Sequence, residues 1–336
     1  MKNKHTNTPK GPVAILGAGS WGTAVAIHLA HSGIDVTLWG RGESHIKAMQ
    51  QDNENAAYLP GIAFPKSLKA EACLDTVTHD ASDIIIAVPS HAFADLVPKL
   101  PSHIQGLSWL TKGIDPATNA CLSELVAKRY GKDFPMAIIS GPSFAKEVAR
   151  LMPTAIVIAG NQMDYCKHLQ DKLHYQNLRV YLSQDLIGVQ CAGAVKNVLA
   201  IACGISDGLE FGANARAALI TRGLAEMSRL GAAMGGSKAT FTGLAGLGDL
   251  VLTCTDNQSR NRRFGLRIGE GEQTEAAEKA IGQVVEGKQN AEQVCELAKR
   301  LHLELPICEQ VHAVLTGQTD ARKAVQTLLD RPAGTE

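Results

Sequence analysis

The chain has 336 residues, 45% hydrophobic and 20% charged, too long for one small core and balanced as a globular protein of two domains is. Its 33 lysines plus arginines equal its 33 acids, so no basic excess points to nucleic acid or to an anionic membrane surface. Any anion bound here must be held by a few placed cations.

Met1 to Lys10 is polar and lysine-rich with no apolar core behind it, which predicts a short tail rather than a signal peptide. Pro12 to Leu16 then reads as a strand, Gly17-Ala18-Gly19-Ser20-Trp21-Gly22 as a G-x-G-x-x-G loop, and Thr23 to Ala30 as a small-residue helix. Between strand and helix such a loop is a dinucleotide site. The first glycine allows the turn, the second lets a pyrophosphate approach, and the third packs helix on strand. The helix N-terminus offers free N–H groups and partial positive charge.

Asp35 to Trp39 predicts a second strand, ending at Gly40-Arg41. NAD-specific folds carry an acid there for the ribose hydroxyls. Arginine instead suits a 2′-phosphate, which favours NADP and leaves NAD open; the plain alternative, kept alive by Glu43 two residues later, is a solvated surface arginine. Asp83 to Val88 runs apolar to Pro89 and suits a strand buried on both faces. Leu107 to Leu110, Met136 to Ile139, Ala155 to Ala159 and Leu178 to Leu182 are further strands. This spacing predicts an α/β, doubly wound, Rossmann-type, mostly parallel sheet. Ligands bind at strand C-termini in such sheets, where Arg41, Ser90-His91, Lys112-Gly113 and Ser140-Gly141-Pro142-Ser143 fall. His91 is set aside as peripheral.

From about Asp185 the pattern turns helical: Leu186 to Cys203, Ala215 to Ala233, Ala276 to Ile281, Asn290 to Leu301 and Ile307 to Leu315. The division predicted is a dinucleotide-binding domain over 11–186 and an all-helical substrate and catalytic domain over 187–330. Lys196 and Asn197 interrupt the apolar opening of the second; the lysine either snorkels outward or is buried for a purpose. Gly243 to Leu250 is a glycine-rich turn presenting Asp249, whose plain reading is a helix cap. With no second acid beside it, no metal site is expected. Ser259-Arg260-Asn261-Arg262-Arg263 is a cationic cluster that either holds a phosphate monoester or is a solvated charge run. The tail from Arg331 to Glu336 should fray.

The eight cysteines include no C-x-x-C pair, as free thiols in a reducing cytoplasm would. No apolar run was expected to approach the ~20 residues that span a bilayer. A homodimer is one assembly open to an alanine-rich helical domain with grooves.

Taken together these segments resemble the bacterial NAD(P)-dependent glycerol-3-phosphate dehydrogenase family. The matching stretches are Gly17 to Gly22, Ser140 to Ala145, Ala194-Val195-Lys196-Asn197, Gly246 to Leu250, Ser259-Arg260-Asn261 and Val284-Val285-Glu286-Gly287, in the family's order along nearly the whole chain. The resemblance implies interconversion of dihydroxyacetone phosphate and sn-glycerol 3-phosphate, a backbone for glycerophospholipids. It implies Lys196 as general acid and base, with Lys112 and Asp249 beside it. Substrate contacts would come from Lys112, Gly141, Ser143, Lys196, Asp249, Ser259, Arg260 and Asn261. Cofactor contacts would come from Gly17, Gly19, Ser20, Trp21, Gly22, Arg41, Lys112, Ala145, Arg260, Val284 and Glu286. Two rivals stand beside it: a hydroxy-acid or ketopantoate-like dehydrogenase of the same two-domain build with a carboxylate clamp, and, from another class, a dinucleotide-binding regulator without turnover.

Overall fold

The structure, a computed structural model, describes residues 11–331; the expected tail at Met1 to Lys10 and the last five residues lie outside them. The first half runs β1 (Val13–Leu16), α1 (Ser20–His31), β2 (Val36–Trp39), α2 (Glu43–Asp52), β3 (Leu68–Glu71), α3 (Leu74–His79), β4 (Asp83–Ile86), α4 (Ser90–Leu96), β5 (Leu107–Trp109), α5 (Leu122–Tyr130), β6 (Met136–Ser140), α6 (Ala145–Ala149), β7 (Thr154–Gly160), α7 (Met163–Leu173) and β8 (Leu178–Ser183).

These strands form one sheet in the order β3-β2-β1-β4-β5-β6-β7-β8. The first six are parallel, β7 runs against β6, and β8 runs with β7. The expected doubly wound sheet is therefore present, with its direction of growth reversing between β1 and β4. Helices cover both faces, and the apolar runs follow from that. Ala14, Leu16, Ile84 and Ile86 enter one core, while Val13, Ile15 and Ile85 enter the other.

β3 was not expected. Its four residues, Leu-Lys-Ala-Glu, bury only Leu68 and Ala70, and as an edge strand it needs only one apolar face.

Among the described residues no strand follows Ser183. The helical half runs α8 (Leu186–Gly208), α9 (Gly212–Ala233), α10 (Lys238–Thr242), a π turn (Leu244–Gly248), α11 (Asp249–Thr255), α12 (Arg260–Gly269), α13 (Thr274–Ile281), α14 (Glu286–Arg300), α15 (Pro306–Leu315) and α16 (Ala321–Leu329). All five expected helices are present with adjusted ends. The sequence reading missed α10, α11, α12 and α16, three of them shorter than ten residues. The ten-residue α12 was hidden by its arginines and glycines.

One expectation is corrected by α8. At 23 residues it is long and apolar enough to cross a membrane, yet 89% of its most apolar window is buried inside the protein. Helices α9, α11, α12, α14 and α15 surround it, so it is apolar all round. Glycines bring α12 into backbone contact with it. A Cβ at Gly204 would stand 2.1 Å from the Arg262 carbonyl oxygen, and one at Gly265 would stand 2.2 Å from that of Ile201. This approach sets the start of α12 against α8, where Asn261 meets Asn197.

Candidate active site

The three glycines of the first loop differ in what surrounds them. Gly17 has φ +138°, and a Cβ there would strike the Ala87 backbone at 2.5 Å, so the turn after β1 abuts the end of β4. At Gly22 a Cβ would stand 2.1 Å from the Gly17 carbonyl oxygen, whereas at Gly19 it would meet nothing within 4 Å. Helix α1 opens at Ser20 with no side-chain cap and no acid in its first turn. Its first N–H groups and positive dipole end are therefore free for an anion. The Trp21 indole N–H is buried beside them with no partner, and the Ser20 hydroxyl donates to the Tyr58 carbonyl at 2.7 Å. Ala145 opens α6, which packs on α1. Arg41 is exposed two residues beyond β2. The open glycine, uncapped helix and orphaned indole N–H fit a dinucleotide.

The chemical centre joins the two halves. Lys196, on the buried α8, does not snorkel; it is 6% exposed. Its Nζ donates to Asp249 Oδ1 at 2.7 Å and to Thr253 Oγ1 at 3.0 Å. Lys112, just past β5, donates from Nζ to Asp249 Oδ2 at 2.6 Å and to the Gly141 carbonyl at 3.2 Å. One carboxylate thus spends an oxygen on each lysine. Asp249 is the first residue of α11 and makes no capping bond, so the cap reading is corrected. The backbone at Gly193 of α8 packs against the Lys112 side chain, and that at Gly248 packs against the Pro142 ring; a Cβ at either would make only ordinary contact, at 3.5 and 3.6 Å. The Gly141 carbonyl, held at φ +120°, also accepts from the Ser143 hydroxyl at 2.9 Å.

Burial lowers the Lys196 pKa to about 8; the Asp249 charge opposes that fall and the Lys112 charge adds to it. For Asp249, burial pushes the carboxyl up, but the two ammonium groups together hold it below the usual carboxylate range. The centre therefore carries a poised amine, a second cation and a fixed anion.

The cationic cluster splits in two. Arg260 opens α12 and reaches the Gln283 side-chain oxygen at 3.3 Å, with Glu286, Arg263 and Tyr58 near enough to act on its charge. Arg262 is instead a structural residue. Its guanidinium is buried on Asp207, Asn257 and the Cys254 carbonyl. Ser259 caps α12, accepting from the Arg262 backbone N–H at 3.2 Å. Asn261 is buried and donates to Asn197 Oδ1 at 2.9 Å. Val284 is 41% exposed, and Glu286, at the start of α14, accepts from the Ser90 hydroxyl at 2.9 Å. Burial raises the Glu286 pKa, and that hydrogen bond opposes the rise.

The sequence reading missed Thr253, Asn290 and Gln293. Thr253 lies four residues after Asp249, one turn along α11, a signal available only once that helix is recognised. All eight cysteines are free thiols, and only Cys73 is exposed.

The matching family models describe the N-terminus of NAD-dependent glycerol-3-phosphate dehydrogenase, over residues 12–166, and its C-terminus, over 185–326. A curated glycerol-3-phosphate dehydrogenase of the NAD(P)+ type from Legionella pneumophila is 59% identical over 327 residues, covering 97% of this chain and 99% of the relative. A Vibrio cholerae protein of the same name is 50% identical over 95% of this chain and 94% of its own length. The crystal structure of glycerol-3-phosphate dehydrogenase from Coxiella burnetii superposes with a TM-score of 0.93 at 51% identity, covering 96% of this chain and all of that one. A ketopantoate reductase from Ralstonia eutropha, 16% identical, shares the fold at a TM-score of 0.59 over 94% of this chain and 99% of its own.

Proposed function

The chain belongs to the NAD-dependent glycerol-3-phosphate dehydrogenase family, and on that premise we propose that Lys196 is the residue that moves the proton in its reaction. The enzyme interconverts dihydroxyacetone phosphate and sn-glycerol 3-phosphate with a nicotinamide cofactor. When bound, that cofactor supplies or accepts the hydride. The chain's own residues handle the charge. In reduction, negative charge grows on the ketone oxygen; the Lys196 ammonium neutralises it and gives up a proton, while Lys112 adds a fixed positive charge. In oxidation, neutral Lys196 takes the hydroxyl proton. Asp249 keeps both nitrogens in place, and Thr253 fixes the remaining direction of Lys196. One observation carries this reading: a buried lysine, poised near working pH, shares a single carboxylate with a second lysine from the other half of the chain.

Residues 11–186 serve the cofactor and 187–330 supply the acid-base and phosphate-holding groups. Supply of the glycerophospholipid backbone is the role proposed for the product.

The poised lysine gives a signed pH prediction. Oxidation needs the neutral amine, so its kcat/KM rises with pH through about 8 and then levels. Reduction needs the ammonium and falls over the same window. Profiles of both directions in wild type and Lys196→Arg provide the check, because arginine stays charged and removes the limb. A limb that persists in the arginine variant would assign the ionisation to another group.

Arg260, at the start of α12, is proposed to hold the substrate phosphate together with Asn261. Arg260→Ala is expected to raise the KM for dihydroxyacetone phosphate about 100-fold, the scale of losing a charge-assisted hydrogen-bond pair. An unchanged KM in steady-state assays would remove Arg260 from the site. Arg41 is proposed to favour NADP by pairing a 2′-phosphate. Arg41→Ala should cut the ratio of NADPH to NADH efficiency about tenfold; a constant ratio contradicts the assignment.

The ketopantoate reductase shares the fold alone, and its class needs a carboxylate clamp. Turnover of dihydroxyacetone phosphate but not of 2-keto acids, followed at the reduced nicotinamide absorbance, separates the readings. NADPH binding with no turnover of any triose phosphate would favour a regulator.

A further inference from the structure

Lys112 sits on a loop of the sheet domain, yet its loop is held by the helical half. Gln293 Nε2 on α14 donates to the Ile114 carbonyl at 2.9 Å, two residues past Lys112. Asn290 Nδ2, one turn earlier, donates to Gln293 Oε1 at 2.9 Å. A Cβ at Gly113 would stand 3.2 Å from that same Asn290 nitrogen, so the loop backbone rests on the Asn290 amide. The series continues: Asn197 Nδ2 donates to Asn290 Oδ1 at 3.0 Å, and Asn261 Nδ2 donates to Asn197 Oδ1 at 2.9 Å. The Gly287 backbone N–H closes it, donating to Asn261 Oδ1 at 3.0 Å. All four side chains are buried, Asn290 completely.

Every bond in this series points the same way, from the Gly287 N–H to the Ile114 C=O. Both ends are backbone groups that cannot exchange donor for acceptor. Turning over any one amide would set oxygen against oxygen and nitrogen against nitrogen, a cost that burial makes large. The orientation of Asn261 is thereby decided at a distance. Its oxygen is committed to Gly287, so its NH2 is held as the donor, as an anionic substrate oxygen requires.

We propose that Asn290 and Gln293 are positioning residues for the reaction, holding the Lys112 loop and the Asn261 amide in register through one directional chain of side-chain amides. Neither residue touches the reacting atoms. The proposal rests on the assignment of Lys112 and Asn261 to substrate given above. A misplacement of about 1 Å in such a group costs on the order of 100-fold in rate.

The test uses the full-length enzyme and four forms: wild type, Gln293→Glu, Asn261→Ala, and the double variant. Gln293→Glu keeps shape but faces the Ile114 carbonyl with an oxygen. Its kcat/KM for dihydroxyacetone phosphate should fall about 10- to 100-fold, with NADPH affinity, read by fluorescence, within about twofold of wild type. In the double variant the loss should fall short of the product of the two single losses, because both changes cut one chain. Losses that multiply overturn the proposal, as does a Gln293→Glu enzyme with wild-type kinetics. If Gln293→Glu fails to fold, Gln293→Met is read against the same outcomes. An Asn261→Ala enzyme with unchanged kinetics overturns the substrate role of Asn261 itself, which separates the two failures.

Discussion

Replacing Lys196 with methionine is expected to lower kcat about 1,000-fold in both directions while NADPH binds as before. Methionine keeps most of the volume and suits a site that is 6% exposed, so packing should survive. The charge balance survives too, because Asp249 keeps Lys112 as its partner at 2.6 Å. What disappears is the one group placed to deliver or take a proton, along with one of the two cations facing the reacting oxygen. Steady-state assays with both substrates and a fluorescence titration with NADPH separate these effects. A kcat within tenfold of wild type would mean that water or Lys112 moves the proton.

Changing Asp249 to asparagine is expected to damage stability as well as rate. The carboxylate is 1% exposed and lies between two ammonium groups, at 2.7 Å from Lys196 and 2.6 Å from Lys112. Removing one member of a buried ionic set costs about 3–5 kcal/mol, because the remaining charge has no partner. The lysines can escape part of that cost by shedding a proton. Burial already holds Lys196 down to about 8, and Asp249 is the group that opposes this fall, so the variant's Lys196 should titrate lower still. The sign follows from linkage. A lysine whose folded pKa lies below its unfolded value binds fewer protons when folded, so stability rises with pH between the two values. The stability lost in Asp249→Asn should therefore be greatest from neutral pH down to the range where Asp249 itself takes up a proton, and shrink toward alkaline pH. Reduction at neutral pH should fall further than oxidation, because the acid form is depleted. Thermal melts across pH, with rates in both directions, test this. A loss of stability independent of pH would mean that the two lysines stay charged without their counter-ion.

Much of this was legible along the chain because it depends on neighbours. The glycine loop, the apolar strands feeding it and the polar residues at strand ends are local patterns set by backbone geometry and by burial on two faces. Lys112, Lys196, Asp249 and Arg260 each stood out against their surroundings in the same way. β3 did not, since an edge strand of four residues needs only two buried side chains. Helix α12 was concealed because residues that look like a solvated charge run are divided by tertiary packing. Its arginine at 262 turns into the protein toward Asp207, while Arg260 turns toward Gln283 and the neighbourhood of Glu286.

Local pattern along this chain thus determined the sheet, the glycine turn and which polar residues were out of place. Only the folded protein decided their partnerships, because Lys112 and Lys196 lie 137 and 53 residues from the carboxylate they share. Nothing in the spacing of a one-dimensional string encodes which buried cation will meet which anion. That outcome is set by how closely glycine-lined helices approach, and by the need of every buried charge and amide to find a partner once water is gone.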